Sequence, residues 1–261
     1  MELTFKAVDN IPLIQKGDDL ADLIFKEADL YDNDIVVIAS TIVSKSLGLT
    51  FYLSDIVPGK EAKRIARLNQ KEPEFVQAVL DESLEVFVET PFMLVRNKNR
   101  HICINAGIDG SNVGGGRLLK LPNNPDGCAT AIGEKLEKLT GKKISVIITD
   151  TNGRAFKEGQ TNVAIGLYKI KALRTWIGEK DLFGYVLEIS EEAVVDEIAG
   201  AANLIMGEGA NGYPVVIVRG LDLYTPEKTS IMEFYRKKED DVIVKGLLEI
   251  KKQDNRKKIK K

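Results

Sequence analysis

The chain has 261 residues, 44% of them apolar and 29% charged, the composition of an ordinary globular protein with room for one large domain or two closely packed smaller ones. A single histidine, His101, and two cysteines, Cys103 and Cys128, exclude His-cluster metal sites, zinc sites and a disulfide framework, and fit a reducing, cytoplasmic compartment. The formal charge of −2 conceals a basic end, residues 251–261, with six Lys and one Arg against one Asp, so that residues 1–250 carry about −8.

The start, Met1-Glu2-Leu3-Thr4-Phe5-Lys6, lacks the basic and apolar regions of a signal peptide. No segment reaches the roughly 18 to 20 apolar residues of a membrane span. Hydrophobic periodicity predicts a strand at 3–8, a helix at 20–28, a strand at 34–39, helices at 61–68 and 73–80, and strands at 85–88, 92–96 and 102–104. A helix at 127–139, strands at 144–149 and 163–167, a helix at 191–206 and a strand at 214–219 follow. The helix at 191–206 has the clearest signals: Ser190 to cap it, Glu191 and Glu192 at its positive end, and Gly207 where it should stop. His101 reads as structural or exposed, and the two cysteines as buried hydrophobes. No linker or repeat divides the chain. The expectation is an α+β fold, mixed strands and helices in two interwoven subdomains that form one catalytic unit over 1–250. Residues 251–261 read as a solvated helix extension in preference to a nucleic-acid or membrane contact.

Four segments carry candidate chemistry. Ser40-Thr41-Ile42-Val43-Ser44-Lys45 follows a strand with hydroxyls and a lysine suited to phosphate, although G-x-x-x-x-G-K-[ST] occurs nowhere; an ordinary surface Lys45 is the competing reading. Asn105-Ala106-Gly107-Ile108-Asp109-Gly110-Ser111-Asn112-Val113 sets a carboxylate and an amide in a glycine-rich turn, or is a plain turn in which Asp109 bonds its own backbone. Ile147-Ile148-Thr149-Asp150-Thr151-Asn152-Gly153-Arg154 reads as an apolar strand ending abruptly in hard oxygen ligands for Mg2+ or Mn2+, with Arg154 able to clamp an anion. Met206-Gly207-Glu208-Gly209-Ala210-Asn211-Gly212-Tyr213-Pro214 matches G-x-G-x-x-G, but it follows a helix and leads into a strand, the reverse of a dinucleotide fingerprint.

Together with Leu121-Pro122-Asn123-Asn124-Pro125-Asp126-Gly127, these segments resemble, in order and spacing from about Ile11 to Leu221, the GTP-dependent glutamate ligases that extend the deazaflavin coenzyme F420. The resemblance implies an α+β homodimer and a two-metal nucleotide site. Asp109 and Asp150 would hold one divalent ion, Mg2+ or Mn2+, and Thr151 and Glu208 would help hold a second, with K+ a further possible ion. Pro12, Leu13, Ile14, Gln15, Ser40, Thr41, Lys45, Asn112 and the loop of Met206, Gly207, Glu208, Gly209, Ala210, Asn211, Gly212 and Tyr213 would contact GTP. Asp109, Asp150 and Glu208 would be the catalytic set.

The implied reaction joins L-glutamate to the glutamate-free deazaflavin through an amide bond, then through γ-glutamyl bonds, by way of an acyl phosphate. That chemistry needs charge neutralisation and no protein nucleophile. Gln160-Thr161-Asn162 lies where family members vary, and the basic end is outside the shared pattern. Arg154 and Lys157 are candidates for binding the acceptor, from charge and position. Two alternatives remain open at this level: a GTP-dependent amide ligase for another carboxylate, and a nucleotide-binding regulator without turnover.

Overall fold

The computed structural model of the protein describes residues 2–259. Within the basic end, side chains are described through Gln253, and Lys260 and Lys261 lie outside the described residues. In chain order the elements are β1 (Thr4–Ala7), α1 (Leu20–Glu27), β2 (Asp34–Ala39), α2 (Ser40–Ser46), β3 (Thr50–Phe51), α3 (Lys60–Asn69), α4 (Pro73–Asp81), β4 (Ser83–Val88), β5 (Leu94–Asn97), β6 (Ile102–Ile104) and β7 (Leu118–Leu119). Then come α5 (Pro125–Thr140), β8 (Ile144–Gly153), β9 (Gln160–Tyr168), β10 (Arg174–Thr175), β11 (Glu191–Glu192), α6 (Val194–Met206), β12 (Val215–Arg219) and α7 (Val242–Ile259). Helices and strands are mixed, and among the described strands only β2 and β8 pair in parallel; the fold is α+β, as expected.

The chain forms two compact units, each assembled from two separated stretches. One takes the chain up to Gly48 and Asn124–Phe234, the other Leu49–Asn123 and the chain from Tyr235 onward.

The first unit is built on a five-stranded sheet in the order β1-β12-β2-β8-β9. Residues 34–38 of β2 and 144–149 of β8 are buried without alternation, as apolar strands must be when both faces of a sheet are covered. Helix α5 packs on β8 and β9, and α6 on β9, β12 and β1. Asp34, fully buried at the start of β2, is held as an ion pair: Arg219 on β12 donates through Nε and Nη2 at 2.7 and 2.8 Å, and the Tyr31 amide donates at 2.7 Å. The guanidinium stacks 3.9 Å over the Tyr31 ring, so the pair locks β2 to β12 at the sheet end remote from Ala39.

The sequence reading does not name the short helix α2 or residues 242–250 of α7, and two elements it does name depart from their expected bounds. Strand β8 does not stop at Thr149 but runs on to Gly153, paired with β9, with a register shift between Ile148 and Thr149. Its polar half stays in the sheet because the first half of β9, Gln160-Thr161-Asn162, supplies an equally polar ladder partner. Helix α6 begins at Val194 rather than after Ser190. Glu191 and Glu192 are drawn into a short antiparallel pairing with Thr175 and Arg174, where Glu192 lies 3.5 Å from Arg174 and accepts from Trp176 Nε1 at 3.3 Å. Ala193 then takes the cap position without a side-chain bond, while Gly207 ends the helix as expected.

In the second unit α3 and α4 pack with β5 around Ala62, Ile65, Val76, Val79, Met93 and Val95. His101 is buried in a structural role, its Nδ1 3.3 Å from the Tyr235 hydroxyl, and burial pushes its pKa down to about 4. Cys103 is buried, whereas Cys128, in the first unit, is only half-buried. Helix α7 lies along β4, with Lys251 donating to the Val86 carbonyl at 2.5 Å. Among the described residues no helix is long and apolar enough to cross a membrane.

Candidate active site

The parallel pairing of β2 and β8 ends with Ala39 opposite Thr149. One residue further, Ser40 opens α2 and Asp150 continues β8, and the buried Ser40 hydroxyl donates to Asp150 Oδ1 at 2.7 Å. The Ala39 amide donates to the Pro214 carbonyl at 2.9 Å, so the glycine loop 206–213 leads into β12 beside the same strand end. The Gly17 amide donates to the Ser46 carbonyl at 2.8 Å, which lays the loop carrying Pro12–Gln15 against the end of α2 that bears Lys45. Ile14 is the buried anchor of that loop and Leu13 is 88% exposed. Thr41 is half-buried on the first turn of α2.

Successive residues of a strand point to opposite faces. Asp150 therefore faces Ser40, and Thr151 looks the other way, into a second cluster of oxygens. Its Oγ1 lies 2.8 Å from Asn162 Oδ1 on β9, and 3.1 and 3.2 Å from Oε1 and Oε2 of Glu208. Asn203 Nδ2 donates to Glu208 Oε1 at 2.8 Å. The hydroxyl of Thr151 has one hydrogen for three acceptor oxygens. The Glu208 carboxylate and the Asn162 side chain therefore share this one hydroxyl.

Gly207 brings Glu208 to this place. At φ +65°, ψ 176° it adopts a backbone conformation essentially reserved for glycine, and a Cβ there would stand 2.3 Å from Asn211 Nδ2. The turn folds Glu208 back alongside the last turn of α6.

Asp109 and Asn112 belong to the other unit. Ile108 is buried in that unit's core, and Asp109 exchanges both backbone hydrogen bonds with Leu119, at 3.2 and 2.8 Å. Its Oδ1 accepts from the Gly110 amide at 2.7 Å and the Ser111 hydroxyl at 3.1 Å, so the local turn bond anticipated for it forms. Asn112 sits at φ +56° in the exposed part of the same turn. Arg154 and Lys157 are exposed in the tip joining β8 to β9, and Arg154 closes that tip by donating to the Glu158 carbonyl at 2.6 Å.

Sequence reasoning missed Asn162 and Asn203. Asn162 is buried and lies opposite Thr151 in the β8–β9 register, a relation invisible until the hairpin is known. Asn203 had a signal: it is a half-buried polar residue one turn beyond Gly200, in the row that also carries Asp196, on a helix whose fully buried residues are all apolar. Asp126, part of the Leu121–Gly127 motif, proves structural, accepting from the amides of Leu167 (2.9 Å) and Ile231 (3.1 Å) and from the Ser230 hydroxyl (2.7 Å).

Oxygens and a neutral amide make the described contacts of Thr151 and Glu208, and hard oxygens of this kind suit a divalent cation. Among the described residues no group of three His, Cys, Asp or Glu is placed to hold a metal ion, so hydroxyl, substrate or water oxygens would complete any coordination shell here.

A family profile described as F420-0:gamma-glutamyl ligase matches residues 9–220. The chain belongs to that family. Three relatives, each named Coenzyme F420:L-glutamate ligase, extend the match. The protein of Methanosarcina acetivorans is 61% identical over 241 residues, covering 92% of this chain and 95% of its own length. That of Archaeoglobus fulgidus is 49% identical, covering 90% of this chain and 94% of its own. That of Haloarcula marismortui is 45% identical over 249 residues, covering 93% and 96%. In this ligase-family chain, then, the polar half of β8 carries one oxygen cluster on each face.

Proposed function

We propose that the protein is a GTP-dependent ligase that joins the α-amino group of L-glutamate to a carboxylate of the deazaflavin F420-0 and then adds glutamate through γ-glutamyl bonds. Family membership supports glutamate ligation on the coenzyme. The observation that carries the site is the pair of oxygen clusters about Asp150 and Thr151, the first sharing its strand end with α2 and the glycine loop.

In this reading an oxygen of the acceptor carboxylate attacks the γ-phosphorus of GTP, the bond to the bridging oxygen breaks, and GDP leaves. The glutamate amine attacks the acyl carbon of the resulting acyl phosphate, the carbon–oxygen bond breaks, phosphate departs, and the nitrogen gives up its proton. Bound Mg2+ or Mn2+ would supply charge neutralisation where two anions meet. Asp150, oriented by Ser40, and the Thr151–Glu208 pair would hold these ions. Asp109 as a metal ligand and Asn112 as a GTP contact are proposed on their sequence motif alone. Lys45 offers a positive charge to the phosphates beside the Pro12–Gln15 loop, and the Met206–Tyr213 loop offers backbone amides. Arg154 and Lys157 are the proposed acceptor contacts; with Arg154 engaged by Glu158, Lys157 is the stronger candidate.

A homodimer is part of the proposal. The arm between β10 and β11 exposes Leu182, Phe183 and Ile189 to 99, 95 and 89%, an apolar display that a second copy would cover.

The test is an assay with GTP, glutamate, Mn2+ and F420-0, reading the product by mass. Gain of one or more glutamyl units, abolished without metal and largely lost in Asp150→Asn, is the expected result. Wild-type protein that binds GTP but adds no glutamate would redirect the search to another acceptor; failure to bind GTP would remove the nucleotide from the mechanism.

A further inference from the structure

We infer that Asn203 is a positioning residue for the cation site, holding the carboxylate of Glu208 in place beside Thr151. The inference rests on the metal-dependent reading above and deepens it by assigning the group that sets one of its ligands.

One row of α6 tracks β9 toward the site. Asp196 accepts from the Ala164 amide at 2.8 Å. Gly200, one turn on, lies so close to β9 that a Cβ would stand 3.1 Å from Thr161 Oγ1. Asn203 is next in this i, i+4, i+7 series, and its amide reaches the polar half of the β8–β9 hairpin where Thr151 stands opposite Asn162. The helix then ends, Gly207 reverses the chain, and Glu208 returns to meet the amide at 2.8 Å. Charge settles the amide's orientation, because the opposite one would set Oδ1 against a carboxylate.

Three properties suit Asn203 to this task. Glu208 is exposed on a long side chain, and the Thr151 hydroxyl that reaches it is shared with Asn162, so the Asn203 amide is the shorter and unshared tie on its carboxylate. Asn203 itself sits on a helix packed against the sheet, so its amide is a fixed point. Being neutral, it orients the carboxylate without cancelling the charge that attracts the ion, as a lysine there would. Groups that orient metal ligands in this way typically govern affinity by about 10- to 100-fold.

The experiment titrates Mn2+ alone into the metal-free full-length protein, with free Mn2+ read by electron paramagnetic resonance. The proteins are wild type, Asn203→Ala, Glu208→Gln and the double variant. Asn203→Ala is expected to weaken Mn2+ binding about tenfold or more, with metal-free Tm close to wild type because alanine favours the helix. In the Glu208→Gln background the same substitution is expected to add nothing, the non-additivity of a residue acting through another. Asn203→Gln, which keeps the donor, should retain more affinity than Asn203→Ala. Additive losses, or equal losses in the Ala and Gln variants, would overturn the assignment. If Glu208→Gln loses Mn2+ while Asn203→Ala does not, the metal reading stands and the positioning role falls. If Glu208→Gln binds Mn2+ as wild type does, both fall together.

Discussion

Replacing Asp196 with asparagine should stabilise the protein, and by an amount that depends on pH. Burial pushes the Asp196 carboxyl up from 3.8 to about 6, against the opposing pull of the Ala164 amide bond. At 1.36 kcal/mol per pH unit that gap makes the ionised side chain a liability of about 3 kcal/mol at neutral pH. Below about pH 3.8 the carboxyl is protonated in both folded and unfolded chains, and aspartate and asparagine are equivalent. Between there and about pH 6 the folded chain binds more protons than the unfolded one, so stability falls as pH rises; above pH 6 the full cost is present. Two features reduce the figure: the side chain is half-buried, and it lies in the first turn of α6, whose positive end favours a carboxylate by about 0.3–1 kcal/mol. About 1–2 kcal/mol remains. The introduced amide keeps an oxygen for the Ala164 N–H, so the substitution removes the charge and leaves the hydrogen bond. Thermal unfolding from pH 3 to 8 should show the Asp196→Asn variant level with wild type at the acid end and several degrees more stable at pH 8, taking about 2–4 °C per kcal/mol. A difference independent of pH, or a less stable variant at pH 8, would refute the account of a carboxyl strained by burial.

Arg219→Met should cost about 2–3 kcal/mol, since it strands the fully buried Asp34 charge although Arg219 itself is partly exposed; adding Asp34→Asn should recover part of the loss in chemical denaturation. Gly133→Ala should lower Tm despite alanine's helix preference, because the new methyl would stand 2.0 Å from the Tyr168 ring, whose hydroxyl is tied to Glu137 at 2.9 Å. Overpacking of this kind costs about 1–3 kcal/mol, and a rise in Tm would show that the ring can yield. Gly207→Ala should cost about 1–3 kcal/mol in backbone strain and weaken Mn2+ binding by displacing Glu208; unchanged metal affinity would separate the turn from the site.

Much of the fold was legible because it depends on short-range pattern. The continuous apolar runs at Asp34–Ala39 and Ile144–Thr149 announce buried strands, and the spacing over Pro73–Leu80 announces α4 almost residue for residue. Motif order pointed to the ligase family, and the family match bears that out. The start of α6 was misjudged because local helix signals at Ser190–Glu192 lost to a pairing with Arg174 and Thr175, residues distant in sequence. The continuation of β8 was missed for the same reason, since a polar strand reveals itself only through its partner.

The candidate site shows the same division. Composition by itself pointed to metal chemistry resting mainly on oxygens, because one histidine and two cysteines cannot form a His-cluster or zinc site. The strand-end context marked Asp150 and Thr151 as candidate ligands, and the family resemblance added Glu208. Only the tertiary structure decided that Ser40 orients Asp150 across 110 residues of chain, that Thr151 faces Glu208 rather than Ser40, and that Asn162 and Asn203 share its cluster. Residue type is a property of one position, whereas a hydrogen bond between distant positions exists only once packing has chosen the register of β8 on β9 and the face that α6 turns toward them.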